Sequence, residues 1–119
     1  MRQLLARGSI LAVTVLCLAW TAYGHAIVLS AKPSQHETVS GPDVAVKLRF
    51  NSRIDAKRSR LTLVTPSGEQ RPLAITETPA GDSLVSEAKG LTSGSYILRW
   101  QVLASDGHIT RGEVPFSVK

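Results

Sequence analysis

The sequence predicts a small all-β protein, an antiparallel Greek-key β-sandwich of the Ig-like or cupredoxin-like kind with about seven strands. Three observations carry this expectation. Apolar and polar residues alternate over Asp43–Asn51 and again over Ser95–Ser105, the period-two signature of half-buried strands. Turn signals recur at the roughly 8–12-residue spacing typical of sandwiches. No segment sustains a helical period.

Each strand has its own signature. Asp43–Asn51 puts Val44, Val46, Leu48 and Phe50 on one face and Ala45, Lys47 and Arg49 on the other. Leu61–Thr65 is β-rich and stops at the turn signal Pro66-Ser67-Gly68. Pro72–Thr78 places Leu73 and Ile75 two apart and breaks at Pro79-Ala80-Gly81-Asp82. Ser83–Ala88 is a weaker strand, closed by Gly90 and Gly94. Ser95–Ser105 is the strongest, with Tyr96, Leu98, Trp100 and Val102 alternating against Ile97, Arg99, Gln101 and Leu103. Glu113–Val118 ends the chain, with Val114, Phe116 and Val118 on one face.

Ahead of this domain, residues 1–24 read as a secretory signal peptide. Arg2 and Arg7 make a basic start, Ile10 to Trp20 is apolar but for Thr14, and Ala22-Tyr23-Gly24 supplies the small residues that precede a cleavage site. The apolar run of about 11 residues is too short to span a bilayer, which takes ~20. Cys17 lacks the small preceding residue of a lipoprotein signal, since Leu16 stands there. Cleavage after Gly24 leaves a single domain, residues 25–119, with no membrane anchor and no Cys or Met. The formal charge falls from +5 to +3 as Arg2 and Arg7 leave. The dense basic run Lys57, Arg58 and Arg60 has no interleaved aromatics, which argues for a solvated loop or strand edge and against nucleic acid. Without cysteine there is no disulfide framework, so an ordinary core must hold the fold.

The same cut makes His25 the first residue. Its α-amine and imidazole can close a chelate ring on one metal ion, an arrangement suited to Cu(II). A second cluster lies at Ser105-Asp106-Gly107-His108. Read as extended chain, Asp106 and His108 share a face with Cα atoms ~6.6 Å apart and could reach one ion. Read as a hairpin corner, Asp-Gly only shapes a turn. His36, among Ser34, Gln35, Glu37 and Thr38, reads as a surface loop residue.

These residues carry a resemblance. His25-Ala26 with Ser30-Ala31-Lys32-Pro33 looks like the opening of the CopC copper-resistance family, and the stretch from Tyr96 to His108 resembles its signature YxVxWxVxSxDGH. Gly112 and Phe116-Ser117-Val118 are similar to its closing strand. The resemblance implies a periplasmic Cu(II)-binding β-sandwich holding one Cu(II) per chain, with His25, Asp106 and His108 as the metal ligands. Some members carry Met-rich stretches for Cu(I); after Met1 this chain has none. Some place a Glu soon after the Phe of the second strand, where Phe50 is here followed by Asn51, Ser52 and Arg53. That leaves the amine and imidazole of His25, the His108 imidazole and the Asp106 carboxylate, a four-donor tetragonal set suited to Cu(II).

The expectation is an exported, monomeric copper carrier or buffer in copper homeostasis and resistance, not an enzyme. Its N-terminal segment is expected to be mobile until metal fixes it against the Asp106–His108 loop. The resemblance implies a separate inner-membrane copper-transport partner of the CopD type. Two other readings stand beside it: a copper monooxygenase with a histidine-brace site, and a metal-free Ig-like interaction module. The amine, whose reference pKa is ~8, must shed its proton to bind metal, so affinity falls in acid.

Overall fold

The computed structural model describes residues 26–119. The expected leader, its cleavage after Gly24, and His25 lie outside the described residues.

The long strands form where alternation demands them. We number the strands β1 (Val28–Lys32), β2 (Thr38–Val39), β3 (Val44–Phe50), β4 (Arg60–Val64), β5 (Gln70–Leu73), β6 (Ser83–Ala88), β7 (Gly94–Leu103) and β8 (Ile109–Val118). One 3₁₀ turn, Ala56–Arg58, precedes β4. In β3 every second residue is buried, Val44, Val46, Leu48 and Phe50, while Lys47 and Arg49 stay in solvent. In β7 the buried set is Tyr96, Leu98, Trp100 and Val102, the set that period two selects.

The strands make two sheets, β1-β3-β6 and β2-β8-β7-β4-β5. β3 pairs with β1 across the short β2 and with the distant β6, and β4 and β7 pair across the intervening β5 and β6, connections of the Greek-key kind. The inner faces meet in one core that includes Leu48, Phe50, Leu63, Leu84, Leu98 and Val102. Phe50 and Trp100 touch edge to face across the sandwich with centroids 5.2 Å apart, and Tyr96 stacks on Phe116 at 5.7 Å.

Several expectations are corrected. The strand expected over Pro72–Thr78 is instead β5, starting at Gln70 and ending at Leu73; beyond it only Thr76 bridges to Val85. Pro72 cannot donate to a ladder, and it is tolerated because β5 is the edge of its sheet. The last strand begins at Ile109, four residues before the expected Glu113, because it pairs with β7 in an unbroken ladder from Leu103↔Ile109 to Gly94↔Val118. The strand expected to run to Ser105 ends at Leu103, where the hairpin begins. Two strands escaped the pattern altogether. β1 is interrupted by a bulge between Val28 and Ser30, which spoils its alternation. β2 is two residues long and runs parallel to β8, so the sheet is not wholly antiparallel.

One contact in the long hairpin explains a glycine. Gly112 sits opposite Trp100, and a Cβ built there would fall within the indole, 2.6 Å from Cε2. The missing side chain is the space the ring fills. Gly112→Ala is therefore expected to destabilise the fold by about 1–3 kcal/mol through overpacking, read as a lowered midpoint in urea. A midpoint equal to wild type would mean that the indole has room to swing away.

Candidate metal centre

The β7–β8 hairpin carries the candidate site on its loop. Ala104 N donates to His108 O at 2.8 Å and Gly107 N donates to Ala104 O at 2.9 Å. Gly107 has φ +93, the left-handed conformation that glycine adopts without Cβ strain. This is a three-residue loop, a turn followed by a left-handed glycine, and the two sequence readings of Asp106-Gly107-His108 merge in it. The stretch is not extended, as the shared-face reading required. The turn itself brings the two side chains together.

They meet directly. Asp106 Oδ1 accepts from the His108 backbone N at 3.1 Å, and Asp106 Oδ2 lies 2.9 Å from His108 Nδ1. These hydrogen bonds, the side-chain one first and the backbone one next, hold the Asp106 carboxyl below the usual carboxylate range, so it is ionised at neutral pH and into mild acid. A carboxylate on Nδ1 places the ring proton there and the imidazole lone pair on Nε2, the arrangement by which carboxylates orient metal-ligating histidines. Each carboxylate oxygen keeps a second lone pair, so Asp106 can also offer a donor of its own. Both side chains are exposed to solvent, Asp106 at 37% and His108 at 60%, outside the core.

The described chain starts at the same end of the sandwich. Ala26 is buried, and Ile27 is clamped by Asn51: its N donates to Asn51 Oδ1 at 2.9 Å and its O accepts from Asn51 N at 2.9 Å. From Asn51 the chain runs to the hairpin loop, where Arg53 O accepts from Ser105 N at 3.1 Å, Ile54 bridges to Ala104, and Asp55 N donates to Leu103 O at 2.8 Å. A single segment, residues 51–55, thus ties the beginning of β1 to the Asp106–His108 loop. In the sequence Asn51 stands out only as the absence of a carboxylate; in the fold it anchors the chain at Ile27. The described chain is thus held from Ile27 onward by backbone and side-chain hydrogen bonds to Asn51.

His36 takes no part in this cluster. It is exposed, its N donates to Pro115 O, and Pro115 lies seven strand residues from His108, roughly 23 Å along β8. Among the described residues no group of three or more His, Cys, Asp or Glu comes together as a metal cage. Asp106 and His108 are the pair the hairpin supplies, and His25 lies outside the described residues.

The match of the CopC domain family model to residues 28–119 decides the lineage. The chain belongs to the CopC family. Its function is accordingly copper-related. Copper resistance protein C of Xanthomonas campestris pv. juglandis is 29% identical to this CopC protein over 107 residues, covering 83% of this chain and 84% of that one. Among solved structures, CopC from Methylosinus trichosporium OB3b superposes with a TM-score of 0.73 at 28% identity, over 80% of this chain and 94% of that one. PcoC, a methionine-rich copper resistance protein from Escherichia coli, gives a TM-score of 0.65 at 27% identity, over 80% and 99%. Unlike that methionine-rich relative, this CopC protein has Met1 as its sole methionine. Among the described residues no helix is long and apolar enough to cross a membrane.

Proposed function

We propose that this CopC protein is a periplasmic Cu(II) carrier or buffer, exported by a leader cut after Gly24, that binds one Cu(II) per chain. The ligands in this reading are the amine and imidazole of His25, Nε2 of His108 and the Asp106 carboxylate. One observation carries it: the hairpin presents an oriented imidazole and an ionised carboxylate at the end of the sandwich where the Asn51 clamp holds Ile27, two residues after His25. Two residues of chain reach up to about 7 Å from that clamp. Three nitrogens and one oxygen suit Cu(II), and a chain without Met or Cys beyond Cys17 offers no soft donors for Cu(I).

Carriage of the ion, rather than chemistry on it, fits the surroundings. A histidine-brace oxidase needs an open coordination position and a surface for its substrate, and Asp106 fills the fourth position here. The four described aromatics, Phe50, Tyr96, Trp100 and Phe116, are all buried, so none offers a stacking platform for a sugar. The domain, acting as a monomer, passes its copper to a separate inner-membrane partner of the CopD type.

The test is competition titration with each oxidation state of copper. One Cu(II) per chain is expected to bind tightly, with Cu(I) weak. His108→Ala should lower Cu(II) affinity by at least a hundredfold while leaving apo stability within ~1 kcal/mol, since the side chain lies outside the core. Tight Cu(I) binding with weak Cu(II), or wild-type affinity in His108→Ala, would overturn the reading.

A further inference from the structure

The outer face of the five-stranded sheet carries a charge pattern that the hairpin loop does not use. Outward residues of β4, β7 and β8 fall into cross-strand rows. Arg60 pairs with Gln101 and Gln101 with Arg111; in the adjoining row Arg99 pairs with Glu113. These side chains border an open groove of about 430 Å³. Glu113 is the one acid on its rim, and it is bound to Arg99 at 2.7 Å. Arg60 and Arg111 therefore have no carboxylate partner among the described residues. Arg111 Nε donates to Gln101 Oε1 at 2.8 Å, which fixes the plane of its guanidinium and leaves the two Nη groups for another acceptor.

Exposed arginines are common, and solvation alone accounts for most of them. What distinguishes this pair is its setting. Ile109, 52% exposed, lies on the same face of β8 as Arg111 and directly follows His108. Moving away from the loop, the face is apolar first and then basic, with Arg60 of β4 in the same row as Arg111, across Gln101 of β7. An apolar side chain beside arginines, one of them oriented by Gln101, is the composition of a protein-docking patch, where Arg is enriched and anchors binding. A bilayer would present a plane of phosphates to this surface, whereas a groove between rows of side chains admits an extended segment.

We infer that the Arg60–Gln101–Arg111 groove seats a protein partner that presents carboxylates beside an apolar side chain. Arg111 stands three strand residues from His108, roughly 10 Å, so a partner seated there lies against the metal loop. The groove's purpose, guiding copper exchange, rests on the copper reading of that loop; the seat itself does not.

The experiment uses the metal-free mature protein, labelled with ¹⁵N and titrated with a short synthetic peptide alternating glutamate and leucine. Amide shifts are expected to concentrate at Gln101, Ile109, Arg111 and Glu113. The double reversal R60E/R111E should weaken binding on the order of tenfold or more. The control K32E/K47E reverses a cross-strand lysine pair on the opposite sheet and should change it less than threefold. The milder R60Q/R111Q should fall between R60E/R111E and wild type, and its spectrum reports whether the fold is intact. Equal losses in the two reversals, or shifts spread over both sheets, would reduce the effect to net charge and overturn the proposal. Binding to phosphatidylglycerol vesicles with the same dependence on Arg60 and Arg111, without peptide binding, would also overturn it, in favour of a membrane surface. Cu(II) titration of R60E/R111E should match wild type. Loss of copper binding in the wild-type protein with peptide binding intact would sink the copper reading and leave the groove standing.

Discussion

A mature protein extended by one residue before His25, as when an initiator Met is retained, is expected to lose Cu(II) affinity by orders of magnitude. The extension converts the α-amine to an amide, which is a poor donor unless deprotonated, and the chelate ring between amine and imidazole no longer closes. Two imidazoles and one carboxylate remain. Each tenfold of lost affinity is about 1.4 kcal/mol, and the electron paramagnetic resonance spectrum should lose one nitrogen coupling. Circular dichroism should be unchanged, because the described fold begins with Ala26 and its Asn51 clamp on Ile27, both downstream of the added residue. An extended protein with the same affinity and the same spectrum as the processed one would remove the amine from the site.

The second large effect is on the fold and not the metal. Trp100→Ala is expected to destabilise the protein by about 3–5 kcal/mol, a large share of the roughly 5–15 kcal/mol that domains of this kind possess. Trp100 bridges the two sheets through Phe50 and fills the space left by Gly112, so the truncation opens a cavity at the join of β3, β7 and β8. Denaturant unfolding followed by far-UV circular dichroism would measure it. At temperatures where the variant stays folded, Cu(II) affinity should stay close to wild type, the reverse of His108→Ala. A variant as stable as wild type would show that the indole is not a core element.

How far the sequence could be read depended on whether the physics was local. In β3, β4 and β7 one face is buried and one solvated, and this writes itself directly as alternation over Val44–Phe50 and Tyr96–Val102. β1 and β2 left no such trace: a bulge disturbs the first, and the second exists only because its two residues meet Ser117 and Val118 from a distant part of the chain. The start of β8 was hidden for a related reason, since Ile109, Arg111 and Glu113 face solvent and Gly112 has no side chain to announce burial. At the candidate site the residue types Asp106 and His108 were legible, and so was the turn-forming Gly107. The bond between the two side chains was not, because it depends on a three-residue loop closed by the His108 carbonyl on Ala104. The role of Asn51 was invisible for the plainest reason: its partner, Ile27, is 24 residues away.

The burial of every described aromatic ring has a consequence beyond packing. Copper cycling between oxidation states in the presence of oxygen and reductants generates oxidants at the ion itself, and the side chains consumed first are thiols, thioethers and electron-rich rings. Beyond Cys17 this chain has no thiol, and beyond Met1 no thioether. Its one tyrosine and one tryptophan after Gly24, Tyr96 and Trp100, are 2% and 8% exposed. With copper held on the hairpin loop as proposed, the domain offers little fuel for damage within reach of that loop. In the proposed site the ligand histidines are themselves the most vulnerable groups, and loss of copper binding is expected to precede any loss of fold when the loaded protein ages in air.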